Sequence, residues 1–266
     1  MKKSRFIVWI ISLIISCFAI TISICYPEYY LSCSIIIFSL ILINFSLKRR
    51  EINQINSIIM QFMNSCNAKE YHENLYAFMK TCIFTKNQKR YFNLYIARSY
   101  IESGEFEKAQ EILLDIDKIV GTLNKFTQFV YLQTWCKLFF LERLDEKMKY
   151  TLTKIDDVIR QVKNKRMQFQ LIQLFYILNI EYSILTNQNI HEVLSVVNNL
   201  NKTSQNNYQK SFNNYLLSLT YLRLNDYINA KESLSEITKL NNDLYINKDS
   251  KRLLEEVNRY LLKTSS

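Results

Sequence analysis

The sequence predicts an all-α protein, because turn-forming residues are scarce and apolar residues recur at helical spacing. Only two of the 266 residues are glycine and one is proline. The tight turns of β-sandwiches, barrels and glycine-loop enzymes depend on these residue types. Pro27 is the sole proline, so no later residue breaks a helix through a missing N–H group. We therefore expect helices along nearly the whole chain.

The first predicted helix is apolar and long enough to cross a bilayer. Residues 6–25 read FIVWIISLIISCFAITISIC and include twelve Ile, Leu, Phe or Val residues and no charged side chain. Such a segment of 20 residues, at about 1.5 Å per residue, matches the ~30 Å hydrocarbon core. Its small residues form one stripe that suits close approach of a second helix. The stripe consists of Ser12, Ser16, Ala19 and Ser23.

A second apolar helix is predicted at residues 29–47, after a short turn that contains Pro27 and Glu28. Basic residues flank both spans on the side away from this turn: Lys2, Lys3, Arg5, Lys48, Arg49 and Arg50. The positive-inside rule therefore predicts a hairpin at the plasma membrane, in contact with lipid, with both termini cytoplasmic. A lipoprotein cleavage box ending at Cys17, which would leave a lipidated cysteine, is the alternative.

The remainder, residues 51–266, is predicted to be a cytoplasmic domain of amphipathic helices. Its pattern of apolar and polar residues repeats in units of about forty residues. One unit, residues 91–116, places Tyr100 in a first helix, Gly104 at a turn and Ala109 in a second helix. A second unit, residues 212–240, repeats the pattern with Asn225 at the turn, where asparagine tolerates left-handed backbone.

These units resemble tetratricopeptide (TPR) repeats, with two weaker copies between them. The central aromatic residues are Tyr100, Phe139, Tyr182 and Tyr221, and their separations of 39, 43 and 39 exceed the ~34 of the standard unit. The resemblance implies a TPR-like α-solenoid of antiparallel helix pairs. Residues 248–262 are predicted to form a capping helix with one apolar and one charged face.

The TPR resemblance also implies a groove, lined by the first helix of each pair, that holds a protein or peptide partner. Carrying the groove positions across gives eight candidate partner-binding residues. They are Tyr91, Arg98, Gln133, Lys137, Gln173, Tyr176, Tyr215 and Arg223.

The sequence lacks the residue patterns that most catalytic and metal-binding sites require. His72 and His191 lack the second histidine that a zinc-binding helix needs, and the six cysteines include no Cys-x-x-Cys pair. Two glycines cannot build a phosphate-binding loop. We therefore predict no enzyme activity, no cofactor and no metal.

The net charge of +10 is divided between the anchor and the cytoplasmic domain. The excess of positive charge is therefore small for a nucleic-acid-binding protein. The sequence instead predicts a membrane-anchored scaffold that recruits a protein or peptide. A peptide-responsive sensor and a subunit of a membrane transport or envelope-assembly complex are the alternatives. Association with a second copy of the chain stays open.

Overall fold

The computed structural model describes residues 2–26, 30–82, 84–240 and 242–264. These residues form α-helices joined by short turns, with one 3-10 helix at Val120–Thr122 and no described strand. The all-α prediction is confirmed. The helices are α1 (Lys2–Cys25), α2 (Tyr30–Ser65), α3 (Ala68–Thr81), α4 (Lys86–Ser103), α5 (Phe106–Asp117), α6 (Lys125–Leu141), α7 (Asp145–Arg160), α8 (Lys165–Thr186), α9 (Ile190–Lys202), α10 (Asn207–Arg223), α11 (Tyr227–Thr238) and α12 (Tyr245–Thr264).

The chain divides into two compact units. The N-terminal unit contains residues 1–60 and 73–85, and the second unit contains residues 61–72 and 86–266. We call the second unit the helical-repeat unit, because its packed helix pairs are compatible with a helical repeat.

The N-terminal unit covers small side chains of α1 and exposes large apolar ones. Ser12 and Ala19 are buried, whereas Phe18 is 68% exposed and Ile24 is 76% exposed. On α2, Phe38 and the other large apolar side chains described between residues 34 and 46 are mostly exposed as well. This distribution is the reverse of the one found at the surface of a water-soluble helix.

Among the described residues, no helix has the length and apolar character needed to cross a membrane. Residues 27–29 of the predicted turn lie outside the described residues. The side chains of residues 2–10, 23, 30–33, 36, 43–44 and 47–48, within or beside the two predicted spans, also lie outside them. The two spans stay a prediction.

In the helical-repeat unit, consecutive helices pack as pairs: α4 with α5, α6 with α7, α8 with α9, and α10 with α11. The first helices of neighbouring pairs also contact one another, in the order α4, α6, α8, α10. Small residues at the predicted contact positions allow this packing, since Ala97, Ala109 and Ala230 are fully buried. The predicted antiparallel helix pairs are therefore present, as a helical repeat requires.

Each of the four pairs turns through a residue with left-handed backbone. Gly104 (φ +85°), Arg143 (φ +62°), Asn187 (φ +57°) and Asn225 (φ +57°) occupy these positions. A backbone hydrogen bond closes each turn: the carbonyl of Tyr100 accepts from the N–H of Glu105, and that of Tyr221 from Asp226. Such bonds satisfy carbonyl groups left free at the end of the first helix. The turns predicted at Gly104 and Asn225 have the expected geometry.

Helix α12 is longer than the predicted capping helix and joins the two ends of the repeat. It packs against α11 and α10 and also against α4. Lys248 donates to the carbonyl oxygen of Ser103 at 3.2 Å, and the rings of Tyr245 and Phe106 have centroids 4.8 Å apart. The helices α4, α6, α8, α10 and α12 thus contact one another in a closed cycle. We call this arrangement the helix ring.

Candidate ligand-binding cavity

A cavity of about 380 Å³ lies within the helical-repeat unit, bordered by α4, α6, α8 and α10. Met63 and the segment that joins α9 to α10 complete its wall. Its lining combines apolar side chains with charged groups and side-chain amides. The charged and amide residues in the wall are Arg98, Gln133, Lys137, Glu181, Gln205, Gln209 and Asn213.

Lys137 brings a buried ammonium group to the cavity. It is the only charged residue in α6 after Lys125, within the run FTQFVYLQTWCKLFFL. Its Nζ atom lies 3.2 Å from the centroid of the Phe212 ring, whose face attracts a cation. Burial lowers the pKa of Lys137, while nearby Glu102 and Glu181 oppose that shift.

Glu181 brings a buried carboxyl group from α8. Its side chain is nearly inaccessible to solvent, and its Oε2 atom has no hydrogen-bond partner. Burial raises the pKa of Glu181 from its usual 4.5 to about 7, although the positive charges of Lys137 and Arg98 act in the opposite direction. No ion pair joins this carboxyl to either cation among the described residues, so its charge has no direct partner.

On α4, Arg98 and Glu102 lie one helical turn apart, and only Glu102 has a direct partner in the wall. The Tyr208 hydroxyl donates a hydrogen bond to Glu102 Oε1 at 2.5 Å. Burial opposes the charge of Arg98, but Tyr208 and Glu102 hold its pKa above the usual value. No hydrogen bond joins the Arg98 guanidinium to another described residue.

Aromatic rings support the Tyr208 side of the cavity. The Phe62 ring stacks on Tyr71, with centroids 4.3 Å apart, and contacts Tyr208 at 5.1 Å. Tyr208 in turn stacks on Phe212 at 6.3 Å. Since Phe212 also lies under the Lys137 ammonium, this row of rings fixes the positions of both the tyrosine hydroxyl and the cation.

The cavity brings together three of the eight predicted partner-binding residues: Arg98, Gln133 and Lys137. The other five lie elsewhere. Gln173 and Tyr176 are exposed on α8, and Tyr91 is half-buried with its hydroxyl 3.0 Å from that of Tyr95.

Tyr215 and Arg223 have structural partners instead. Tyr215 is fully buried, and its hydroxyl donates to Asp249 of α12 at 2.6 Å. Arg223 donates to the carbonyl oxygens of Ile184 and Leu185 at the end of α8. Both side chains therefore join neighbouring helices and do not line the cavity.

The groove prediction did not include Glu181, Tyr208 or Phe212. A signal for Glu181 is nevertheless present, because it is the only charged residue in the last twenty residues of α8, residues 167–186. A single carboxylate in an otherwise uncharged helix is rarely buried without a partner or a role.

Comparison with known proteins found no matching family model, no matching curated protein and no matching solved structure. The resemblance to TPR proteins therefore rests on the repeat pattern of the chain and on its packed helix pairs.

Proposed function

We propose that this protein is a membrane-anchored receptor that binds a short peptide, or the end of a partner chain, in the cavity of its helical-repeat unit and thereby recruits that partner. The observation that carries the proposal is the presence of charged groups without direct partners in one cavity. Glu181 and Arg98 line the same space, and neither forms an ion pair with another residue that the structure describes. Buried charge is costly unless it is paired, so a ligand that supplies the partners would be bound strongly.

The lining also favours a peptide-like ligand. The amides of Gln133 and Gln209 can donate to and accept from a peptide backbone, while Leu174 and Ile177 offer apolar contact. A volume of about 380 Å³ is at the low end of the ~300–1,000 Å³ typical of small-molecule sites. The ligand that enters it is therefore a short segment.

Photocrosslinking tests the binding proposal in native membranes. A benzoylphenylalanine replacing Leu174 places the reactive group in the wall, and the same group at Tyr150, which is 65% exposed on α7, serves as the control. We expect a peptide adduct at position 174 only, and its loss in a Lys137→Met background. Equal adducts at both positions, or none at position 174, would rule out the cavity as the binding site.

Membrane anchoring is supported by the N-terminal unit, where α1 buries Ser12 and Ala19 and exposes Phe18. Lipid solvates large apolar side chains, whereas small residues allow helices to approach closely. Topology can be tested with a membrane-impermeant maleimide, using Cys25 as the exposed thiol beside the predicted external turn. We expect a variant that retains only Cys25 to be labelled in intact cells, and a cysteine at exposed Lys149 to be labelled only after lysis.

A second candidate function, recruitment of a folded protein, is favoured by a stripe on the first half of α8. Phe169, Ile172 and Tyr176 are spaced by three and four residues, and each is substantially exposed. An apolar stripe of this kind can dock a partner helix. The double substitution Phe169→Ser and Ile172→Ser should abolish recruitment through this face and leave the crosslink at position 174 unchanged.

A further inference from the structure

From the charges in the cavity wall we infer that the ligand is a short zwitterionic peptide, with a protonated amino group against Glu181 and a carboxylate against Arg98. This inference rests on the proposed function, since it specifies the chemistry of the ligand bound at that site. It assigns Glu181, which the groove prediction did not include, as the residue that recognises the amino group.

The need for a cation follows from the Glu181 side chain. Nearly all buried polar atoms in proteins have a hydrogen-bond partner, yet Glu181 Oε2 has none. Lys137, the cation whose charge most favours ionisation of Glu181, has its ammonium 3.2 Å from the centroid of the Phe212 ring and forms no ion pair with the carboxyl among the described residues. An ammonium group on the ligand would donate to the free oxygen and neutralise the carboxylate.

The preference for an anion follows from Arg98, which is half-buried in the wall of the cavity. Its guanidinium carries five N–H donors in a rigid fork and forms no hydrogen bond with another described residue. Glu102, the acidic residue one turn away, favours the charged form of Arg98 but forms no hydrogen bond with it, and its Oε1 atom accepts from the Tyr208 hydroxyl. A carboxylate matches the guanidinium in a bidentate arrangement, which makes it the anion that this site fits best.

One ligand can reach both charges because Arg98 and Glu181 line the same cavity and influence each other electrostatically. A purely anionic ligand would leave the Glu181 carboxylate without a partner. A purely cationic ligand would leave Arg98 unpaired. The combination of an amino and a carboxyl terminus in one short peptide satisfies both.

The test uses the full chain in detergent and a pool of tripeptides built from alanine, leucine, serine and phenylalanine. The pool is prepared in three forms: with free ends, N-acetylated and C-amidated. Retention on the immobilised protein is measured by mass spectrometry. We expect the free form to be retained at least tenfold better than either capped form.

Two variants assign the ends of the peptide. Glu181→Gln should remove the preference for a free amino end and keep that for a free carboxyl end, and Arg98→Gln should do the opposite. Glu111→Gln and Arg166→Gln, at exposed positions, are the matched controls and should retain both preferences.

If a variant fails to fold, the unaltered protein provides a second test through pH. The charged or titratable groups that interact with Glu181 are Lys137 and Cys136 of α6, Arg98 and Glu102 of α4, and Tyr208 of α10. Glu181 must be ionised to bind an amino group, so retention of the free pool should rise at least threefold from pH 5.5 to 7.5. Retention of the N-acetylated pool should change much less.

Equal retention of all three forms would overturn the zwitterion inference and leave peptide binding intact. Loss of retention on capping only one end of the peptide would overturn it as well, because the site would then recognise only one of the two terminal charges. No retention of any form above that of bare resin would overturn both this inference and the proposed function.

Discussion

The ammonium of Lys137 lies 3.2 Å from the centroid of the Phe212 ring, although the carboxyl group of Glu181 lines the same cavity without a hydrogen-bond partner at Oε2. A desolvated cation over an aromatic face gains roughly 2 kcal/mol, which offsets part of the cost of burying the lysine. The ring thus competes with the carboxylate for the cation. The consequence is a carboxylate that is left available to another group.

Lys137→Met should raise the pKa of Glu181 above about 7, because the lysine charge is the largest influence that favours ionisation of that carboxyl. The titration of the Glu181 side-chain carbon, followed by NMR with selectively labelled glutamate, measures the shift. Lys147→Met is the matched control, since Lys147 is exposed on α7 and lies 5.8 Å from the Phe139 ring. A Glu181 pKa that falls, or moves equally in both variants, would contradict the electrostatic coupling.

Glu181→Gln should make the free energy of unfolding less dependent on pH between about 4.5 and 7. The folded protein binds a proton at Glu181 more tightly than the unfolded chain does, because burial raises the pKa from 4.5 to about 7. The stability of the unaltered protein therefore decreases as pH rises through this window, by at most about 3 kcal/mol for this group.

Urea unfolding of both proteins at pH 5 and pH 7.5 provides the measurement. The difference in unfolding free energy, variant minus unaltered protein, should increase with pH. A difference that stays constant or decreases would show that the carboxyl is not protonated in this range. Glu111→Gln, on the exposed face of α5, should show no such trend.

Gly104→Ala should destabilise the helix ring, whereas Gly121→Ala should be nearly neutral. Gly104 has φ +85°, and an added Cβ would lie 2.8 Å from Cδ2 of Tyr245 in α12. Gly121 meets no atom within 4 Å. Backbone strain and overpacking together predict a loss of about 2–4 kcal/mol at position 104, measurable by thermal unfolding.

Adding Tyr245→Ala to the Gly104→Ala background separates the two causes. Removing the ring relieves the steric conflict, so the two substitutions should be less destabilising together than the sum of their separate effects. Strict additivity would mean that the loss at position 104 arises from the backbone alone.

Tyr215→Phe should lower the free energy of unfolding by about 1–3 kcal/mol and leave peptide retention unchanged. The variant removes the hydroxyl that donates to buried Asp249, and hydrogen bonds to charged groups are among the more stabilising ones. The control is Tyr150→Phe at an exposed position. Loss of retention without loss of stability would instead return Tyr215 to the ligand-binding surface, as the sequence predicted.

The helix pairs and their turns were predictable from the sequence because they depend on residues close to one another in the chain. Ala109, Ala230 and the turn residues Gly104 and Asn225 each act within a single helix pair, and their roles follow from side-chain size and backbone freedom. The third pair matches after a shift of one residue, since Ser183, not Tyr182, supplies the carbonyl that closes its turn. Local pattern was sufficient to predict the helix pairs.

The composition of the cavity was only partly predictable because it depends on contacts between distant residues. Arg98 and Lys137 were reached by extending the pattern from one unit to the next. Their neighbour Tyr208 meets Glu102 across 106 residues of chain, and no periodicity encodes that contact. The contacts of Tyr215 and Arg223 were not predictable for the same reason. Their positions would face a groove in an open stack of helix pairs, but here their side chains contact neighbouring helices.

Closure of the helix ring by α12 changes how the unit folds. In an open array each repeat depends only on its neighbours, so the ends fray and stability grows by increments. Here the hydrogen bond from Lys248 to Ser103 joins residues 145 positions apart in the chain. Closing so large a loop costs conformational entropy before the contacts of α12 with α4 can form. Folding should accordingly be slower than for an open array of the same length, and unfolding more nearly all-or-none. Loss of any one helix contact in the helix ring weakens the remaining contacts. A ligand bound between α4 and α8 therefore stabilises the whole ring against unfolding.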